Sequence, residues 1–160
     1  MATEKLKFKL ELFATMWDKP PHVEILIGDQ TYYKGDITGS EEKPDIFQFE
    51  KELSEGEIYN LIIQRTGKTP SQTIINEKGD ILKDQLVNIK RIEIDEIDIG
   101  GLVYDGVYTP QYPEPWATQQ KDAGIELQES FKNVTQLGHN GTWQFTFQSP
   151  FYMWLLENLY

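Results

Sequence analysis

Four aspartates stand where the local sequence would hold a carboxylate in the open. Asp95 and Asp98 lie in Ile94-Asp95-Glu96-Ile97-Asp98, Asp105 follows shortly after, and Asp36 sits in Gly35-Asp36-Ile37-Thr38-Gly39. Calcium is the chemistry such residues suit, because it prefers six to eight oxygen ligands from carboxylates, carbonyls and water, and loops carrying Asp beside Gly supply them. None of the four has EF-hand spacing. A second reading needs no metal: alternation along a half-buried strand puts these same carboxylates on its wet face. Asp95, Asp98 and Asp105 are the residues the calcium reading names.

A second chemistry is sugar binding through exposed rings. Trp17, Tyr32, Tyr33, Tyr104, Tyr108, Tyr112 and Trp116 include several in predicted loops, where an aromatic face can stack on a sugar, although burial is the commoner fate of such side chains. Catalysis finds less support. Glycosidases work with two carboxylates across a sugar bond, but pairs of acids carry no signal among 26 of them. His22 and His139, the only histidines, fall in predicted loops. Serines lack a nucleophile-elbow context, and no glycine pattern resembles a phosphate-binding loop. No catalytic or cofactor-binding residue is assigned, and the expectation is a protein without enzymatic activity.

The stretch Leu86–Gly101 must position the acids. Val87 and Ile89, Ile92 and Ile94, and Ile97 and Ile99 each keep a two-residue period, but the phase flips between Ile89 and Ile92 and again between Ile94 and Ile97. Two flips predict two kinks or bulges in one long strand, and these decide where Asp95, Glu96 and Asp98 point. Upstream, Leu6, Phe8, Leu10 and Leu12 alternate with charged residues as a first strand. Val23, Ile25 and Ile27 form a second, Tyr32 to Ile37 a short third, and Phe47, Phe49 and Leu53 a fourth. The run Ile58 to Ile63 is apolar on both faces and reads as a central strand. Thr66–Gln85 is a polar hairpin excursion with apolar pairs at Ile74-Ile75 and Ile81-Leu82. Regular short strands with turns between them predict an all-β fold, an antiparallel sandwich of jelly-roll or carbohydrate-binding-module type.

The later part of the chain differs. Thr109–Trp116 is rich in proline and aromatics and predicts an extended segment across a surface, followed by a short helix near Thr118–Asp122. Trp143, Phe145 and Phe147 alternate as a last strand. Phe151, Trp154, Leu155 and Leu159 have helical spacing, with Pro150 at the first turn and Ser149 as N-cap. So apolar a tail must dock, either on its own domain or on a neighbouring subunit. Residues 1–108 are thus expected to form the sandwich core. Residues 109–160 form an arm, a last strand and a helix within one domain, and Tyr112, Trp116, Phe151, Trp154, Leu155 and Leu159 are the candidate partner contacts.

The composition narrows the function. A chain of 160 residues buries roughly 70% of its unfolded surface, enough for a core without staples. It has no cysteine, which excludes disulfides, thiolate metal sites and a cysteine nucleophile. With 26 acidic against 15 basic residues, a formal charge of −11 and no basic cluster, binding to nucleic acid or to an anionic membrane is not expected. The charged N-terminus predicts no cleaved leader.

Two resemblances follow from longer motifs. Trp17-Asp18-Lys19-Pro20-Pro21, the run Asn76–Ile99, Tyr112–Gln120 and Ser149–Tyr160 resemble uncharacterised proteins of T4-like tailed phages, especially cyanophages. That resemblance implies a virion protein made in the host cytoplasm: a capsid-decorating, neck or tail module, arrayed as a homo-oligomer among other virion proteins. Ile94-Asp95, Ile97 and Gly100 resemble the late strand of calcium-dependent, xylan-binding-type carbohydrate-binding modules, over about residues 6–101. Only Asp95 has a clear counterpart there; the Asn-Asp segment and Asp-Arg pair usual upstream are missing. This second likeness implies the alternative function, a glycan-binding module for host attachment, assisted by calcium.

Overall fold

A computed structural model describes residues 2–68, 73–78, 81–100, 102 and 106–159, the last without its side chain. Asp105 and Tyr104 lie outside the described residues. The expected antiparallel sandwich is present. In chain order the strands are β1 (Thr3–Thr15), β2 (His22–Ile27), β3 (Gln30–Asp36), β4 (Asp45–Ser54), β5 (Ile58–Thr66), β6 (Thr73–Ile75), β7 (Ile81–Asp84), β8 (Leu86–Ile94), β9 (Ile97–Asp98), β10 (Val107–Pro110), β11 (Gln136–Leu137) and β12 (Gly141–Gln148). Two helices complete it, α1 (Trp116–Asp122) and α2 (Phe151–Leu159). One sheet runs β11-β8-β1-β4 with β9 paired to β8, the other β10-β12-β5-β2-β3, and β6 and β7 form a separate hairpin.

The period of two decides which side chains meet between the sheets. Leu6, Phe8, Leu10 and Leu12 of β1 are buried, as are Val23, Ile25 and Ile27 of β2 and Trp143, Phe145 and Phe147 of β12. The alternating lysines face water, where Lys5 pairs with Glu50 at 2.9 Å. Phe8 and Phe147 touch across the two sheets, their ring centroids 6.0 Å apart. On one side, a register shift in the β2–β3 pairing accompanies two ring contacts that close the edges of β3 and β4: Tyr32 on Phe49 at 4.2 Å and Tyr33 on Phe47 at 4.3 Å. Strand β5 is central as expected, but only one face is buried, and Ile58 is exposed.

The stretch Leu86–Gly101 is a correction. Its first phase flip is a bulge: β1 pairs Glu11 with Arg91 and Leu12 with Ile89, so Lys90 is the extra residue. The second flip is a chain reversal. Asp95 and Glu96 have φ of 53° and 69°, and Ile97 pairs back on Ile94, a two-residue hairpin rather than a bulge in a continuing strand.

The arm closes the other side of the sandwich. From β10, at the edge of the second sheet, the chain passes through α1, bridges Phe131 to Tyr108 with bonds of 2.9 and 2.8 Å, and joins the first sheet as β11. It then returns as β12, an inner strand between β10 and β5. Trp143, Phe145 and Phe147 of β12, and Phe151 after them, therefore bring four large core rings from beyond residue 108. None of the described helices is long and apolar enough to cross a membrane.

Candidate functional site

Strand β10 has only four residues, pairing Val107–Pro110 with Gln144–Gly141, so the Phe145–Gln148 half of β12 has no β10 partner. Just before β10 the chain passes so close to the buried Trp143 ring that a Cβ at Gly106 would stand 2.3 Å from it. The chain turns at Ser149-Pro150 and α2 packs back beside β12, with Phe151 and Leu155 buried. Trp154 stands edge-on to Phe145, ring centroids 5.7 Å apart, and stacks on Phe151 at 6.0 Å.

Between α2 and the outer face of β10 and β12 lies a groove of about 550 Å³. The sheet contributes Thr109, Thr142, Gln144 and Thr146, which are the outward residues alternating with the core rings. The helix contributes Trp154 and Asn158, four residues apart and therefore on one face. Lys132 from the arm stands at the same groove, and Leu102, Val107 and Phe145 add apolar surface to it. Asn60 on β5 fixes the polar wall, its carbonyl oxygen accepting from Gln144 Nε2 at 3.1 Å and Thr146 Oγ1 at 2.7 Å. Asn158 donates to the Trp154 carbonyl at 2.7 Å, which leaves its own side-chain oxygen to accept. A half-buried indole beside hydroxyls and planar amides is the chemistry of a sugar face: ring C–H groups against the π-system, hydroxyls against groups that both donate and accept.

Two carboxylates hold the helix wall in place. Phe151 N–H, an orphan donor at the start of α2, donates to Glu4 Oε2 at 2.8 Å, and the Ser149 hydroxyl donates to the same oxygen. Glu4 therefore plays the part expected of Ser149 as cap, and its charge suits the positive end of a helix. The Tyr152 hydroxyl donates to Asp95, a bond that pushes the phenol up to about 12.

With Asp105 outside the described residues, Asp95, Asp98 and Asp36 form no group of three that could hold a metal ion. Asp95 is engaged by Tyr152; Asp98 accepts from Gly100 N–H at 2.8 Å and pairs with Arg91 at 3.2 Å. Asp36 approaches His22 at 3.3 Å. The partner candidates also separate. Phe151 and Leu155 are buried in the chain's own core where α2 docks on β12, the first of the two placements expected for the tail, and Trp154 is half-buried there. Tyr152, Met153 and Leu156 of α2 are exposed, and the side chain of Leu159 lies outside the described part. Tyr112 and Trp116 cluster with His139 at 5.2 and 5.9 Å, Trp116 38% exposed.

Behind that cluster is a buried polar group that periodicity alone does not reveal, since Arg65 occupies an inward position of β5. Arg65 donates to the Leu137 carbonyl and, at 2.6 Å, to Gln85, and burial lowers it to about 10. Lys68 reaches Asp84 at 2.6 Å. Burial raises Asp84, but bonds from Lys68 and Thr73 outweigh it and hold the acid below its usual range. Burial, with Lys68 next, lowers His139.

No family model and no curated protein matches the chain. Two solved structures share its fold. One is the module vCBM60 in complex with galactobiose, at 12% identity and a TM-score of 0.51, covering 87% of this chain and 96% of that one. The other is the selenomethionine form of vCBM60, described as a link by circular permutation between two families of calcium-dependent carbohydrate binding modules. It matches at 11% identity and a TM-score of 0.53, covering 88% and 89%. Calcium needs several converging oxygens. Among the described residues no three acidic or histidine side chains form such a group, and Asp95 and Asp98 already serve Tyr152, Gly100 and Arg91, so these acids do not fit a calcium cage. What the chain shares with these structures is the β-sandwich of a carbohydrate-binding module.

Proposed function

We propose that this protein is a glycan-binding module without turnover, and that the groove between α2 and the β10–β12 face is its binding surface. The observation that carries this reading is the pairing of half-buried Trp154 with the hydroxyl and amide row of Thr142, Gln144, Thr146 and Asn158 in one groove. The likeness of the fold to a module solved in complex with galactobiose supports it. The sequence favours virion assembly first and glycan binding second; the fold and the groove reverse that order. Neither structural neighbour speaks to a phage source. Of the contacts the assembly reading named, Phe151 and Leu155 are buried in the core and Trp116 is exposed.

An array of plant, algal and bacterial surface polysaccharides tests the proposal. The wild-type chain retains a defined subset. Trp154→Ala weakens retention at least about tenfold, as expected for the removal of a central aromatic anchor, and Gln144→Ala weakens it with α2 untouched. Retention unchanged in both variants, or absent in the wild type, would overturn the reading.

A further inference from the structure

The groove is electrostatically unlike the rest of the molecule. About one residue in six of this chain is acidic, and its formal charge is −11. Yet the groove lining includes no carboxylate and a single charged side chain, Lys132. Among the described residues Lys132 forms none of the ion pairs, which instead engage Lys5, Lys9, Lys68 and Arg91. It is also exposed, so its ammonium meets anything that enters. A sugar site built for neutral hydroxyls gains from carboxylate acceptors, and none is present here. A site free of carboxylates avoids repelling an acid, and an unpaired ammonium attracts one.

Resting on the glycan reading above, we infer that the groove takes an acidic saccharide, with Lys132 meeting its anionic substituent while Trp154 and the amide row meet the ring. The overall negative charge does not override this attraction. Exposed charges more than about 8 Å away are largely screened at physiological salt, whereas a group in the groove meets Lys132 directly. The shared chemistry is a sugar carrying a single anionic group, and its sources are a uronate carboxylate or a sulfate ester.

The test uses the full chain on matched polysaccharides, each in a neutral, a uronate-bearing and a sulfated form. The expected result is a preference of about two- to fivefold for an acidic form, the scale of one exposed ion pair. It fades between 50 and 500 mM salt and is lost in Lys132→Gln, while Lys121→Gln on α1 keeps it. The carboxylate and sulfate arms identify which anion is used. Equal binding of the neutral form, or a preference that survives Lys132→Gln, overturns this inference and leaves the glycan reading standing. Binding to none of the three forms, with the array also empty, removes both.

Discussion

Replacing Glu4 tests how the groove acquires its helical wall. The Glu4 carboxylate accepts from Phe151 N–H at 2.8 Å and from the Ser149 hydroxyl, and both of those residues are fully buried. Glu4→Ala leaves two donors without their acceptor, each worth about 1–3 kcal/mol when stranded. It also removes an anion from a helix N-terminus, about 0.3–1 kcal/mol. The serine hydroxyl can rotate towards another acceptor, so the expected loss is about 2–4 kcal/mol, or roughly 5–15 °C in Tm for a domain of this size. Glu4→Gln keeps a carbonyl oxygen in place and loses about 1 kcal/mol. Urea unfolding at unchanged m-value measures both. Since α2 carries Trp154 and Asn158, glycan retention by Glu4→Ala should fall as well, below the temperature at which the variant unfolds. A Glu4→Ala variant within about 0.5 kcal/mol of wild type would refute the clamp and the account of the wall.

Other positions give independent checks. Gly106→Ala places a methyl 2.3 Å from the Trp143 ring and should cost about 3 kcal/mol in chemical denaturation, because the buried indole has no room to move. Glu96→Gly relieves a left-handed residue at φ 69° and should stabilise the hairpin by about 0.5–1 kcal/mol in the same assay. Asp95→Ala loses the exposed bond from Tyr152 and a residue type that tolerates its left-handed φ of 53°, together about 1 kcal/mol, and the loss should be the same in calcium and in chelator. The pH profile follows from His139 and Asp84. With His139 held below its ordinary value, the unfolded chain binds more protons as pH falls below about 6.5. Stability therefore falls with pH from there, and His139→Phe should flatten that limb of a Tm-versus-pH curve. Asp84, also depressed, contributes stability present above about pH 3.9 that is lost as pH falls further, so a second acid limb should survive in His139→Phe and shrink in Asp84→Asn, with Glu50, depressed by Lys5, contributing to what remains.

Much of the sandwich is legible because alternation is a local signal. Leu6 to Leu12, Val23 to Ile27 and Trp143 to Phe147 announce their buried faces, and the phase flip at Lys90 announces its bulge. The reversal at Asp95-Glu96 is not legible, since a tight hairpin is signalled by Asn-Gly or Asp-Gly, and Glu in a left-handed conformation carries no such mark. Nor is Arg65, whose inward position is made tolerable by Leu137 and Gln85, 72 and 20 residues away. The groove is half legible. Thr142, Gln144 and Thr146 are the visible polar positions of β12, and Trp154 and Asn158 share a helix face. That the two sets meet depends on β10 beginning only at Val107 and on Glu4 holding α2, both set by contacts distant in sequence. The acids of Leu86–Gly101 drew attention as ligands; Asp95 and Asp98 instead hold a helix and a turn.

The four tryptophans, Trp17, Trp116, Trp143 and Trp154, allow the binding surface to be located in one spectrum. Indole N–H resonances of the nitrogen-15-labelled chain, assigned by single Trp→Phe variants, are followed during titration with uronate-bearing oligosaccharides that the array retains. The account predicts a saturable shift of the Trp154 resonance together with the side-chain amides of Gln144 and Asn158, while Trp17 and Trp116 stay in place. A shift confined to Trp116, or no shift at saturating sugar, would contradict it.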